Sequence, residues 1–133
     1  MYFEQWVPGY ASLKKPLKPK EPQFRGKLYV LIDGECFSTT GHLLSLIKYH
    51  KLGVLVGEES GGSFYCYGCQ TDITLPKTKI IFSYSQCTFQ TKVTGFSTST
   101  GIQPEIKIKS SIEDVISGKD AVMEYVLKLI TNN

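Results

Sequence analysis

The run Leu28-Tyr-Val-Leu-Ile-Asp33, together with the later run Val54-Leu-Val-Gly57, decides the fold of this chain. Both runs are short and nearly continuous in apolar residues, which is typical of strands buried on both faces of a parallel sheet. Parallel strands need a crossover connection, usually a helix. The sequence between the two runs is long enough to supply one.

That connecting sequence carries a helical pattern that starts at Ser38. Leucines and isoleucines at positions 43, 44, 46 and 47 fall on one helical face, and Gly53 follows as a terminator. A helix is therefore predicted from Ser38 to about Leu52. Residues 28–57 are predicted to form a β-α-β unit.

The pattern changes after Phe64. Residues 71–76, 79–84 and 87–93 are strand-like and predict antiparallel strands joined by short turns. Ile106 and Ile108 alternate with lysines in a last strand. A capping-box-like start at Ser111 predicts a short helix ending at Gly118, and residues 120–131 predict a final amphipathic helix. The fold class is α/β, with an antiparallel extension and two C-terminal helices.

Composition predicts one folded domain with a basic leading segment. The chain has 133 residues, 41% of them apolar, which suffices for one core but not for two ordinary domains. Residues 1–26 are predicted to be irregular, with interleaved lysines and prolines. The aromatic Tyr2, Phe3, Trp6 and Tyr10 in this segment are expected to pack on another surface.

The bases lack the interleaved stacking aromatics of a nucleic-acid site, so no nucleic-acid partner is predicted. Residues 27–133 form the predicted domain.

The four cysteines do not predict a metal site. Cys66 and Cys69 have the spacing of a zinc knuckle, but no second pair follows, and His42 and His50 are not spaced as partners. A Cys66–Cys69 disulfide is an open alternative, with unpaired thiols favoured. No cofactor is predicted, and no apolar run reaches membrane-spanning length.

Ser38 is the candidate nucleophile because of its predicted position between a buried strand and a helix. A side chain there projects at the carboxyl edge of the sheet, where open α/β folds place their sites. The helix N-terminus supplies free N–H groups for an oxyanion, with that of Thr39 as the candidate donor. The alternative is that Ser38 is only a helix N-cap. No G-x-S-x-G elbow is present.

Three stretches of the sequence resemble the tail-specific (C-terminal-processing) and tricorn-core serine peptidases. They are Leu31-Ile-Asp-Gly-Glu-Cys-Phe-Ser38, then Gly53-Val-Leu-Val-Gly-Glu58 with Ser60-Gly-Gly62, and Gly101-Ile-Gln-Pro-Glu105. The resemblance implies a crotonase-like (Clp-protease-like) core, Ser38 as nucleophile and peptide or protein substrates. It also implies a bacterial protein of the periplasm or cell envelope.

The chain departs from that family at the general base. The resemblance places Ser63 where the processing peptidases carry a lysine, and Thr98 where the tricorn-type branch carries an assisting glutamate. In that branch the base is a histidine upstream of the nucleophile, outside this sequence. His42 is expected to point away from the substrate carbonyl. The chain is thus predicted to be the C-terminal part of a catalytic core, which self-associates through the truncated face or exposes an apolar patch.

Two other functions compete with a peptidase. The first is a non-catalytic ligand- or peptide-binding module on the same fold, as in the retinoid-binding relatives. The second is a crotonase-type acyl-CoA enzyme. The latter is disfavoured because such enzymes use paired backbone oxyanion donors from two loops, which leaves Ser38 and the Gly-x-Pro-acid motif without a role.

Overall fold

A computed structural model describes residues 18–132 of the chain. The expected packing of Tyr2, Phe3, Trp6 and Tyr10 lies outside these residues. Residues 18–26, the described part of the predicted basic segment, contain no helix or strand. None of the helices in residues 18–132 has both the length and the apolar character needed to cross a bilayer.

The predicted β-α-β unit is present. Strand β1 spans Tyr29–Ile32, helix α1 spans Thr39–Tyr49, and strand β2 spans Val54–Gly57. The two strands pair in parallel with Tyr29 opposite Val54 and Ile32 opposite Gly57. The helix is one turn shorter than predicted, because Leu52 donates its N–H to the Ile47 carbonyl at 2.9 Å and the chain turns there toward β2.

The core lies between α1, the two parallel strands and a later loop. Its buried cluster contains Ile32, Leu44, Ile47, Leu55 and Ile102. Leu55 is fully buried, and burial of one such side chain stabilises the fold by about 1.5–3 kcal/mol.

The predicted apolar face of α1 is partly wrong. Leu43 is 55% exposed and Leu46 is 37% exposed, whereas Ser45 is buried. The Ser45 hydroxyl donates to the His42 carbonyl at 2.7 Å, so its burial leaves no polar group unsatisfied. The buried stripe therefore runs through Leu44, Ser45 and Ile47 rather than through every leucine.

The antiparallel extension is a single hairpin. Strand β3 spans Tyr65–Thr74 and strand β4 spans Ile81–Gln90, in a two-stranded sheet separate from β1 and β2. The prediction of three strands is wrong, because the polar residues Ser85 and Gln86 do not form a turn. They continue β4. An exposed two-stranded ribbon tolerates polar side chains on both faces, because neither face is wholly buried.

A disulfide joins the two strands of the hairpin, which corrects the prediction for the cysteines. Cys69 is bonded to Cys87, with their Cα atoms 5.7 Å apart, while Cys36 and Cys66 are free. Cys66 and Cys69 are three positions apart on one extended strand, about 10 Å. That exceeds the roughly 7 Å limit for a disulfide between Cα atoms. Cys87 instead pairs with Gly68, next to Cys69.

The C-terminal part completes the parallel sheet and adds the two predicted helices. Strand β5 spans Ile106–Lys107 and pairs in parallel with β2, which becomes the central strand in the order β1-β2-β5. Helix α2 spans Ile112–Ser117, and helix α3 spans Ala121–Thr131. The capping box is present at the start of α2, with Ser111 Oγ accepting from the Asp114 N–H at 3.1 Å.

Helix α2 exposes an apolar surface. Ile112, Val115 and Ile116, at i, i+3 and i+4, are 74%, 70% and 81% exposed. The predicted self-association, and the predicted apolar patch at the truncated face of a partial core, both stay predictions.

Candidate active site

Ser38 lies between the end of β1 and the start of α1. The turn before it is shaped by Asp33, whose carboxylate accepts the Glu35 N–H at 2.9 Å and whose carbonyl accepts the Cys36 N–H at 3.1 Å. Ser38 directly precedes Thr39, the first residue of α1. The position is thus the predicted one, at the carboxyl end of β1 in the three-stranded parallel sheet.

The backbone of Ser38 is strained. Its φ of 53° and ψ of −121° lie outside the regions that residues with a Cβ normally occupy. Such a conformation costs about 1–3 kcal/mol and is concentrated at functional sites. The side chain makes no capping hydrogen bond, and the residue is exposed. Ser38 therefore occupies the N-cap position without acting as a cap, which removes the simplest structural reason for a serine there.

The backbone N–H of Thr39 is free to bind an anion. Within residues 18–132 it has no hydrogen-bond acceptor, whereas the next amide, that of Thr40, donates to the Phe37 carbonyl at 3.1 Å. The first turn of α1 holds no acidic residue that would compete for this end of the helix dipole. An oxyanion formed at Ser38 would meet a suitable donor here.

A glycine loop packs directly against the Ser38 turn. The Gly62 N–H donates to the Cys36 carbonyl at 2.9 Å. A Cβ at position 62 would lie 2.9 Å from the Ser38 backbone nitrogen and 3.1 Å from the Phe37 Cα. A Cβ at Gly41 on α1 would in turn meet the backbone of Gly62 at 2.8 Å. Only glycines allow this approach, so the loop holds the Ser38 turn in place.

The glycine loop is itself fixed by the segment that contains Gly101 and Ile102. The buried Ser60 hydroxyl donates to the Gly62 carbonyl at 2.6 Å and accepts the Ile102 N–H at 2.8 Å. The three sequence stretches that carry the family resemblance are thus brought together in space, although they are far apart in sequence.

Glu59 adds a charged contact to the same junction. Its carboxylate accepts the Gly101 N–H at 2.7 Å. Hydrogen bonds from the Gln103 side chain and from the Gly101 N–H, with the positive charge of Lys107, hold the pKa of Glu59 below its ordinary value of 4.5. The acid that fixes the glycine loop is therefore Glu59.

A pocket of about 480 Å³ opens beside Ser38, between the start of α1 and the hairpin. The described residues that line it include no aspartate, glutamate, lysine or arginine, and two aromatic side chains form part of its wall. The lining residues are Ser38, Thr39, His42, Cys66, Tyr67, Gly68, Phe89 and Gln90.

The structure places His42 in this pocket, which modifies the expectation that it points away from the site. Its two ring nitrogens do not bond Ser38. Nδ1 lies 2.5 Å from Thr91 Oγ1, and Nε2 lies 3.0 Å from Cys66 Sγ. His42 therefore shares the pocket with Ser38 but is engaged elsewhere.

Ser63, at the position where the processing peptidases carry a lysine base, cannot act as a base. Ser63 donates its hydroxyl to the Ser97 carbonyl at 3.3 Å. It lies directly after Gly62 and thus close to the Ser38 turn, but a serine hydroxyl cannot accept a proton as lysine does at a depressed pKa. Sequence analysis did not predict the grouping of His42, Cys66 and Thr91. These residues come from three separate parts of the chain, and their spacing matches no known motif.

Comparison with known proteins identifies the family of this chain. The model of peptidase family S41 matches residues 4–108. The chain belongs to peptidase family S41. The match begins inside the segment predicted to be irregular and ends before α2. It includes Ser38, the glycine loop and the Gly101–Glu105 stretch.

A solved structure adds a fold comparison for this S41 chain. The crystal structure of the tricorn protease matches with a TM-score of 0.53 and 21% sequence identity. The match covers 80% of this chain but 10% of the tricorn protease chain, so the chain spans a small part of that protein's length. Comparison with curated protein sequences gives no significant match.

Proposed function

We propose that this chain carries part of the catalytic core of a serine-type peptidase, with Ser38 as nucleophile and the Thr39 N–H as an oxyanion donor. The observation that carries the proposal is the strained, exposed and uncapped Ser38 at the start of α1. Strain at a serine without a capping bond is explained if its hydroxyl must face a substrate carbonyl. Membership of family S41 supports the same chemistry.

The substrate class is a peptide or protein, cleaved internally or near its C-terminus. The uncharged pocket beside Ser38 suits an apolar or aromatic side chain of such a substrate. The resemblance to the tail-specific peptidases supports C-terminal processing and a crotonase-like arrangement of the complete core. The Cys69–Cys87 disulfide supports work in an oxidising compartment such as a periplasm.

Neither candidate base in residues 18–132 is placed to activate Ser38. Ser63 takes the lysine position, and both ring nitrogens of His42 are engaged by Cys66 and Thr91. A serine hydroxyl is a weak nucleophile at neutral pH and needs an adjacent base. We therefore expect the base to come from sequence outside this chain, and the 133-residue chain alone to be inactive.

The test is hydrolysis of an unfolded protein substrate by the full gene product and by the 133-residue chain. Activity is expected only in the former, and Ser38→Ala should lower it by at least about 100-fold. Thr40→Ala, which removes a nearby exposed hydroxyl, is the matched control and should retain activity. Activity that survives Ser38→Ala would exclude Ser38 as the nucleophile.

The second candidate is a non-catalytic peptide-binding module on the same fold. The observation that favours it is the missing base at Ser63. It predicts that the full gene product binds peptides, for example by fluorescence anisotropy, without cleaving them. Binding that is unchanged in Ser38→Ala, together with no hydrolysis by the wild type, would select this function.

A further inference from the structure

Three side chains from separate elements meet at the wall of the pocket in the geometry of an activated thiol. His42 comes from α1, Cys66 from β3, and Thr91 directly follows β4. Nε2 of His42 lies 3.0 Å from Cys66 Sγ, and Nδ1 lies 2.5 Å from Thr91 Oγ1. A thiol, an imidazole and an orienting hydroxyl follow one another in line.

We infer that Cys66 is a second nucleophile of this protein, with His42 as its general base and Thr91 as a positioning residue. Cys66 is a free thiol, unlike Cys69, and it is half-buried in the wall of the pocket. A hydrogen bond to Thr91 fixes the ring of His42 so that Nε2 faces the sulfur. This site is independent of the proposed role of Ser38.

The chemistry is covalent modification by an uncharged carbon electrophile. His42 Nε2 takes the proton of the Cys66 thiol, and a sulfur lone pair forms a bond to the electrophilic carbon. With an alkyl iodide the carbon–iodine bond breaks and iodide leaves with the bonding pair. The uncharged lining and the aromatic rings of Tyr67 and Phe89 favour an electrophile that carries an aromatic group.

Within residues 18–132, no third metal-binding side chain joins His42 and Cys66. Residues 18–132 contain no group of three or more His, Cys, Asp or Glu side chains arranged around a common point. Zinc in proteins takes three or four such ligands.

The experiment measures the rate of alkylation at each thiol of the oxidised 133-residue chain by peptide mass spectrometry. The probes are iodoacetamide and its N-phenyl analogue. Cys36 is the internal reference, because it is also a half-buried free thiol but packs against the apolar core. We expect Cys66 to react about tenfold or more faster than Cys36, with the ratio larger for the N-phenyl probe.

Two sets of variants test the roles of His42 and Thr91. His42→Gln should lower the rate at Cys66 by about tenfold or more and leave Cys36 unchanged, while His50→Gln, at the exposed end of α1, should change neither. Thr91→Val should slow Cys66, and Thr91→Ser, which keeps the hydroxyl, should restore the rate. If His42→Gln fails to fold, the comparison of Thr91→Val with Thr91→Ser tests whether the positioned imidazole activates Cys66.

Equal rates at Cys66 and Cys36 in the wild type would overturn the inference. So would a Cys66 rate that is unchanged in a folded His42→Gln variant. Equal effects of Thr91→Val and Thr91→Ser would show that the hydroxyl does not position the imidazole.

Discussion

Gly62 lies against Ser38 so closely that a Cβ at position 62 would be 2.9 Å from the Ser38 backbone nitrogen. The same glycine donates its N–H to the Cys36 carbonyl at 2.9 Å. One residue without a side chain thus sets the path of the turn that presents the candidate nucleophile. The approach is possible because a glycine Cα has no Cβ to separate two backbones.

Gly62→Ala should therefore disturb the Ser38 turn. The added methyl group has only backbone atoms to displace, so we expect a loss of about 1–3 kcal/mol in the free energy of unfolding. Gly34→Ala is the matched control, because a Cβ there meets nothing within 4 Å. Urea denaturation of both variants gives the comparison, and equal midpoints would show that the close approach carries no constraint.

Ser60→Ala should weaken the attachment of the glycine loop to Ile102, although the Ser60 N–H keeps its 3.1 Å bond to the Ile102 carbonyl. The change removes the acceptor of the buried Ile102 N–H, and an unsatisfied buried donor costs about 1–3 kcal/mol. Ser63→Ala loses only a 3.3 Å bond to Ser97 and should stay within about 0.5 kcal/mol of the wild type. Thermal unfolding of the two variants measures both losses of stability. Equal losses would show that the Ser60 hydroxyl contributes no more than the Ser63 hydroxyl.

Ser38→Gly should stabilise the fold while removing the nucleophile. Glycine adopts a positive φ without steric cost, so the variant recovers strain of about 1–3 kcal/mol, less about 0.4–1 kcal/mol for its freer unfolded state. Ser38→Ala keeps the Cβ and should leave stability unchanged. Chemical denaturation of these two variants separates backbone strain from loss of the hydroxyl. A destabilised Ser38→Gly would contradict a strained serine.

Glu59 should make stability depend on pH in the acid range. Its pKa is lower in the folded chain than the ordinary value of 4.5, so its stabilisation is complete above that value and disappears as the pH falls through the folded pKa. Glu59→Gln should therefore lose less stability than the wild type between about pH 6 and about pH 3.

The control for this pH effect is Glu58→Gln. Glu58 is exposed and makes no side-chain hydrogen bond within the described part of the chain. Urea midpoints at the two pH values should fall equally in Glu58→Gln and in the wild type. An identical fall in Glu59→Gln would show that its contacts with Gly101 and Gln103 do not favour the ionised form.

The local sequence pattern predicted the β-α-β unit because that unit places simple requirements on its residues. The strand around Val30 and the strand around Leu55 must be apolar on both faces, and the helix between them must bury one stripe. The capping box at Ser111 likewise depends on residues three positions apart. Each of these features is set by neighbours in the sequence.

The hairpin could not be predicted to the same degree. Its strands are mostly exposed, so alternation of polar and apolar residues carries little information about where β4 begins or continues. The Cys69–Cys87 pairing depends on the register between β3 and β4. The contact of His42 with Cys66 depends in addition on how that hairpin packs on α1, which no local pattern encodes.

The positions of Ser38 and Thr39 follow from the strand-to-helix junction, and the sequence placed them correctly at the start of α1. The strain at Ser38 could not be predicted, because φ at a single residue depends on contacts with distant parts of the chain, and Gly62 packs against this turn from another loop. The roles of Ser38 and Thr39 in catalysis remain proposals that rest on geometry and family.

The most direct test of the central claim is covalent labelling of the full gene product with a fluorophosphonate, followed by mass spectrometry to locate the adduct. A fluorophosphonate reacts with a serine whose hydroxyl has an adjacent base and an oxyanion site. The proposal predicts an adduct on Ser38 that is abolished in Ser38→Ala and retained in Thr40→Ala. An adduct on any other residue, or no adduct on the active full-length protein, would contradict Ser38 as the nucleophile.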